Sequence, residues 1–515
     1  MSNIFSFRKI NFWLLAILIF FLLTRTYKIS EIPASVYWDE ASIGYNAYSI
    51  LKTGKDEWGD FFPLHFRAFG EFKLPVFIYS TLLFIKIFGL NEFSIRFTSV
   101  LFSLGAVILT YLIAKKIYNN LAVALFASLF VSISPWFFVF SRTGYEATAG
   151  LFFYLLAIFF VLHKHKGGIF IFFSVVSFIL SAYSYNSFRI ISPITLAIFS
   201  FIEFKDFKYT FKNSLKWIIL SLVFISISIL PIYKLYIYDA GILRFQTVSE
   251  DGIKSLVENY STHFSLDFLF INGDNNLRSH VPGAGQLFIF DIILFPLGLL
   301  YIIRNKSKYS PLPIFLLLVA PIPAAITKES PHALRAISAI PFIQIISALG
   351  VFQLLKYIHR KNIVIFIIVV VSLIFFLKYF INFTFNYPIK SQQDWQYGYK
   401  KIYTDYEKEF IRYDRILISD AYAQPYIFAL FYLKYNPSNF LKEVVRNGIN
   451  DWGFSTVSKF GKFEFGKIKE LSYQEKEHVL IFAESKETFP IQESLRQIGE
   501  IEFLDHTTAF RIYQK

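Results

Sequence analysis

The chain has 515 residues, 55% hydrophobic and 20% aromatic with 64 Phe, and a formal net charge of +14. A soluble protein of this size keeps a lower apolar fraction, and here apolar runs recur near the ~20 residues that a bilayer-crossing helix requires, which points to a polytopic membrane protein. Cysteine is absent, excluding disulfides, thiolate metal sites and a Cys nucleophile.

In chain order, apolar runs predict spans over 10–24, 96–114, 120–139, 146–162, 168–184, 189–203, 216–236, 287–303, 311–326, 334–356 and 362–381. No small-x-small cleavage signal follows the first run, which therefore reads as an uncleaved signal anchor. Basic residues cluster in short loops between runs: Arg8-Lys9, Lys115-Lys116, Lys164 to Lys166, Lys205 to Lys216, Arg304 to Lys308 and Lys356 to Lys361. With the N-terminus cytoplasmic, all of these loops fall inside, as the positive-inside bias requires, so the charge sets orientation and nucleic acid is not an expected partner.

The apolar run from Leu74 to Leu90 carries Pro75 and Lys86, and a crossing there would put every later basic loop outside. It reads as a helix in the outer interface. Two long external loops follow from this parity, 25–95 and 237–286. After Ile381 the composition turns charged and balanced. The expected tail strands are Arg415–Ser419, His478–Phe482, Glu500–Phe503 and Ala509–Tyr513, with helical patterns over Pro425–Tyr435 and Ile491–Gln497. The expected fold is an α-helical polytopic membrane domain over 1–381, with the site in loop 25–95, and an extracytoplasmic α/β or α+β domain over 382–515.

Asp39 and Glu40 form an acidic pair at the start of a helical pattern that Gly54 stops. Asp39 is a helix N-cap or first-turn residue, and a carboxylate held ionised there by the helix dipole can accept a proton from a hydroxyl. The plainer reading is a solvated cap. Glu146 lies four residues after Arg142 at the outer end of the third span, where a simple Arg–Glu structural pair is the plain alternative. Lys73 stands where the first external loop re-enters the apolar interface; it either snorkels or holds a lipid-borne phosphate. Arg335, with His332, opens the tenth span on the same side and is either an interface anchor or a phosphate contact. Gly273 to His280 is a polar loop that includes Arg278. Tyr45, His332 and Arg278 are candidate sugar or acceptor contacts. There is no phosphate-cradling G-x-x-x-x-G-K loop, no H-E-x-x-H and no nucleophile elbow.

Trp38-Asp39-Glu40-Ala, Gly44-Tyr-Asn-Ala, Phe72-Lys73-Leu-Pro, the string Phe88-Gly-Leu-Asn-Glu-Phe-Ser-Ile-Arg96, Ser-Pro-Trp136 and Ser-Arg142-x-x-x-Glu146 together resemble the GT-C membrane glycosyltransferases. The likeness is to the bacterial relatives of protein O-mannosyltransferases and of the lipid A aminoarabinose transferase. It implies inverting transfer of a sugar from a polyprenyl-phosphate donor to a protein, glycolipid or cell-envelope glycan at the outer face of the cell membrane. It also implies that Asp39 is the loop acid, Glu146 the second acid and Lys73 the phosphate-binding lysine; Glu40 beside Asp39 is a further candidate acid, and Arg335, placed by topology, and Arg142 are further candidate phosphate contacts. The family's two prolines after that lysine are here Leu74-Pro75. Without a D-x-D motif no cofactor is required, although a carboxylate cluster can hold a divalent cation. The rival class, a transporter or flippase of lipid-linked sugars, explains the spans and basic loops but leaves the outer acidic pair without a role.

Overall fold

The computed structural model describes residues 11–69, 71–203, 207–238, 249, 252–305, 307–448, 455–471, 477–488 and 495–515. Arg8-Lys9, part of the Lys205 to Lys216 cluster and much of 237–251 lie outside them. The chain folds into two compact units. One comprises Met1–Tyr27, Ser99–Lys234 and Val248–Asn382, and the other Lys28–Thr98, Leu235–Thr247 and Phe383–Lys515. Residues Lys28–Thr98 therefore belong with the C-terminal region, whereas their place in the sequence suggested the membrane domain.

The first unit is helical. Among the described residues, three helices of the chain are long and apolar enough to cross a membrane: Glu92–Tyr118, Ser214–Ile237 and Lys361–Phe385. Shorter apolar helices include α1 (Phe12–Thr26), Leu121–Ile133, Ala147–Leu162, Ile169–Ala182, Ser187–Ile202 and Ala339–Leu355. Two expected spans are broken. The run 120–139 stops at Ile133 and restarts as Pro135–Phe140, because Pro135 has no N–H to continue the ladder. The run 311–326 divides into Leu312–Val319 and Ile322–Ala325, with Pro321 ahead of the second helix. Helices Asp291–Arg304 and Ala339–Leu355 pack backbone against backbone. A Cβ on Gly298 would lie 1.8 Å from the Ile346 carbonyl oxygen, and one on Gly350 1.9 Å from that of Leu294. Such small-residue contacts are how apolar helices associate where lipid removes the hydrophobic drive.

The second unit opens with α2 (Trp38–Thr53), which ends at Gly54 in the left-handed region at φ +73°. Asp39 is a first-turn residue, and the N-cap itself is Tyr37. A hairpin follows, β1 (Phe66–Ala68) with β2 (Glu71–Lys73), its register pairing Phe66 with Lys73. Then come α3 (Pro75–Phe88), at 14 residues shorter than a span needs, and α4 (Glu92–Tyr118), whose first residues belong to this unit.

The C-terminal part of this unit is a seven-stranded mixed sheet in the order β4-β5-β6-β3-β7-β9-β8. Its strands are β3 (Arg415–Ile418), β4 (Val445–Arg446), β5 (Val457–Phe460), β6 (Phe463–Phe465), β7 (Val479–Glu484), β8 (Arg496–Glu502) and β9 (Thr508–Gln514). The central strand β3 runs parallel to β6 and β7, and the other pairs are antiparallel. The inner strands are buried on both faces, with Leu417, Val479, Ile481 and Tyr513 in one core. The helix expected over Pro425–Tyr435 is found as Pro425–Tyr432. The helix expected over Ile491–Gln497 is not: 491–494 lie outside the described residues, and Arg496 and Gln497 begin β8. Pairing with β9 overrides the local helical pattern there.

Candidate active site

In the second unit, α2 and β2 bring together residues 34 apart in sequence. Lys73, at the end of β2, is buried between two carboxylates, its Nζ 2.8 Å from Asp39 Oδ1 and 2.6 Å from Glu71 Oε1. The half-buried Asp39 is placed by the first turn of α2, where the helix dipole favours a negative charge, and Lys73 by the hairpin register. A lysine clamped in this way is an ion-pair partner, which goes beyond the snorkelling expected of an interface lysine.

Glu40 faces elsewhere. Its two oxygens accept from Arg96 Nε and Nη2, both at 3.1 Å, and neither residue has any exposed surface. Arg96 also donates to the carbonyls of Ile29 (2.8 Å), Pro33 (3.1 Å) and Ser35 (2.5 Å), and lies 5.8 Å from the Trp395 ring. A bidentate, fully buried carboxylate has no free face for a substrate. Glu40 is thus corrected from a catalytic acid to a structural one that pins the loop before α2 to the start of α4.

Tyr45 is buried in α2 and donates to the Tyr435 carbonyl at 3.2 Å, so it serves packing and is corrected from a sugar contact. Behind it, Glu57 is a fully buried carboxyl. Burial first, and then Asp56, push it up to about 8 against the pull of Arg446. Among the described residues neither Glu57 carboxyl oxygen has a hydrogen-bond partner. Its backbone carbonyl accepts from Arg446 at 2.6 Å.

The remaining candidates belong to the first unit. Arg142 is buried and donates to the carbonyls of Thr24 (3.2 Å) and Tyr27 (2.8 Å), the C-terminal end of α1, with Phe138 beneath its guanidinium. A cation there satisfies orphan helix carbonyls, which corrects its assignment as a phosphate contact. Glu146, nearly buried, caps the helix Ala147–Leu162 by position without a side-chain cap bond. The neighbouring Tyr145 donates to the Arg278 carbonyl at 3.3 Å. Arg278, His332 and Arg335 do come together. Burial, then the charges of Arg335, His263 and Arg278, hold His332 well below the usual imidazole range, so it is neutral. The His332 amide donates to His263 Nε2 at 3.1 Å, and Arg335 Nη1 donates to Thr327 Oγ1 at 2.6 Å. Among the described residues no three His, Cys, Asp or Glu side chains group as a metal site.

Three participants were not assigned from sequence. Glu71 is two residues before Lys73 and Arg96 is a charge opening an apolar run, both usable signals. Gln396 gave none. Its Oε1 accepts from the Trp38 amide at 2.9 Å, and its Nε2 donates to the carbonyls of Tyr422 and, at 2.9 Å, Ala423.

Comparison with known proteins places residues 73–233 in a match to the dolichyl-phosphate-mannose-protein mannosyltransferase family, a range that begins at Lys73 and includes Arg142 and Glu146. No curated protein matches the chain significantly. In structure the chain is similar to ArnT from Cupriavidus metallidurans in the apo state, at TM-score 0.58 and 10% identity, over 98% of this chain and 97% of that one. The same score and identity hold for ArnT bound to undecaprenyl phosphate, over 98% of each chain. An Archaeoglobus fulgidus oligosaccharyltransferase in complex with Zn and sulfate matches at TM-score 0.50 and 13% identity, over 82% of this chain and 61% of that one.

Proposed function

Taking the chain as a membrane protein of the GT-C fold, we propose that it is an inverting glycosyltransferase using a polyprenyl-phosphate sugar donor at the outer face of the cell membrane. The observation that carries the reading is the Asp39–Lys73–Glu71 cluster, a carboxylate and a cation held at the start of one helix in a fold whose relatives include a protein solved with undecaprenyl phosphate. In the proposed reaction Asp39 takes the proton of the acceptor hydroxyl. That oxygen bonds to the anomeric carbon as the bond from carbon to the phosphate oxygen breaks, and the polyprenyl phosphate leaves with the electron pair. Lys73 meets the charge on the departing phosphate. No covalent glycosyl-enzyme and no metal is needed in this scheme.

In-line displacement puts base and leaving group on opposite sides of the anomeric carbon, so Asp39 and Lys73 must part when the donor enters. The donor phosphate, a stronger partner for Lys73 than one carboxylate, draws the lysine away and leaves Asp39 facing the acceptor. The orientation that follows has a cytoplasmic N-terminus and an extracytoplasmic C-terminal sheet.

The test is sugar transfer by purified membranes supplied with a panel of radiolabelled polyprenyl-phosphate sugars. Transfer from at least one donor that disappears in Asp39→Asn supports the reading. Transfer from none, or wild-type transfer by the variant, overturns it.

A further inference from the structure

We infer that the cleft at the C-terminal ends of β3 and β6 is a sugar-binding subsite, one that takes a pyranose ring of the acceptor. The inference rests on the transferase reading for the word acceptor only; the cleft's chemistry stands by itself. Parallel strands open their binding crevices at their carboxyl ends. Here Asp420 follows β3 by two residues, and Phe465 closes β6. The cleft they open has a volume of about 200 Å³, smaller than a drug-sized ligand site and on the scale of a single sugar ring.

Its lining suits a sugar. The partly exposed Trp38 offers aromatic surface for the apolar face of a ring, while Asp420, Gln424 and Asn447 offer carboxylate and amide groups for hydroxyls. Gln424 is only 6% exposed, and its Oε1 has no hydrogen-bond partner among the described residues. A buried amide oxygen left unpaired is costly, and a ligand hydroxyl is the natural group to satisfy it. Gln424 and the preceding Ala423 both hold left-handed backbone, φ +55° and +61°. That conformation is unfavourable for residues other than Gly, and such strain concentrates where ligands are gripped.

The cleft is also tied to the proposed base. Trp38 lines it and directly precedes Asp39. Gln396 bonds the Trp38 amide on one side and the Tyr422 and Ala423 carbonyls on the other, fixing the start of α2 to the turn that carries Gln424. The cleft thus lies one residue along α2 from the proposed base.

The experiment uses full-length protein in lipid nanodiscs, with methyl α-mannopyranoside, methyl β-glucopyranoside, methyl β-galactopyranoside and N-acetylglucosamine as probes, read by saturation-transfer NMR and tryptophan fluorescence. At least one probe should bind. Gln424→Met, which keeps volume but removes both polar atoms, and Asp420→Ala, at an exposed position, should each weaken it about tenfold, the effect of roughly 1.4 kcal/mol. Binding of undecaprenyl phosphate to the same variants should be unchanged. Failure of every probe to bind wild type, or wild-type affinity in both variants, overturns the subsite. If a probe binds and the variants weaken it while no donor supports transfer, the subsite stands and the transferase reading falls.

Discussion

Lys73 Nζ lies 2.8 Å from Asp39 Oδ1, and the same ammonium lies 2.6 Å from Glu71. In the proposed reaction, the cation that meets the donor phosphate thus rests on the carboxylate that acts as the base. Lys73 is thereby kept paired while buried, and the proposed mechanism separates the two roles when a donor arrives.

Asp39→Asn keeps the size of the side chain and removes its charge and its power to take a proton. Transfer should fall about 10²–10⁴-fold with donor binding retained. Initial rates and donor titrations on purified variant and wild type measure both quantities. A wild-type rate would reduce Asp39 to a first-turn structural residue.

Lys73→Ala should weaken binding of undecaprenyl phosphate about tenfold or more, since a charge-assisted hydrogen bond to phosphate is lost. Lys73→Arg should recover part of it. Equilibrium binding of a fluorescent polyprenyl phosphate reads this directly. Unchanged affinity in the alanine variant would leave Lys73 as the ion-pair partner of Asp39 and Glu71 alone.

Glu40→Gln breaks a fully buried bidentate pair and strands Arg96, so it should destabilise the protein by about 3–5 kcal/mol. The expected signs are lower yield and a depressed thermal midpoint, in contrast to Asp39→Asn, which should melt near wild type. A Glu40→Gln protein that is as stable as wild type but inactive would restore Glu40 to catalysis.

Glu57 gives a pH dependence with a definite sign. Its folded-state value is raised to about 8 from 4.5, chiefly by burial and next by Asp56. Between those values the folded protein holds a proton that the unfolded chain has lost, so stability falls as pH rises through that window, by at most roughly 1.4 kcal/mol per pH unit. Glu57→Gln should flatten the profile and be the more stable form at pH 7.5. Thermal midpoints of detergent-solubilised protein from pH 5 to 8 check this; coincident profiles for variant and wild type would exclude Glu57 as the source.

Gly350→Leu tests the close helix pair of the first unit. The Leu294 carbonyl lies 1.9 Å from where a Cβ would stand, so the two helices must separate. Loss of folded protein on size-exclusion chromatography is the expected outcome, whereas a well-folded, active variant would show that the contact can yield.

Local chemistry was legible in the sequence. The membrane class followed from composition, α2 and its stop at Gly54 from helical pattern and glycine, and the inner strands β3, β7 and β9 from short apolar runs between turn residues. These features depend on residues a few positions apart, the range over which backbone propensity and side-chain periodicity act. Tertiary structure alone decided which charges meet. Glu40 and Asp39 are neighbours in the chain, yet one is sealed against Arg96, 56 residues away, and the other faces Lys73. Gln396 reaches the start of α2 across 358 residues, and β8 took its conformation from pairing with β9 against its own helical pattern. Partner choice of this kind is set by the burial of charge and by hydrogen bonds closed between distant segments, and a run of neighbouring residues carries no record of it.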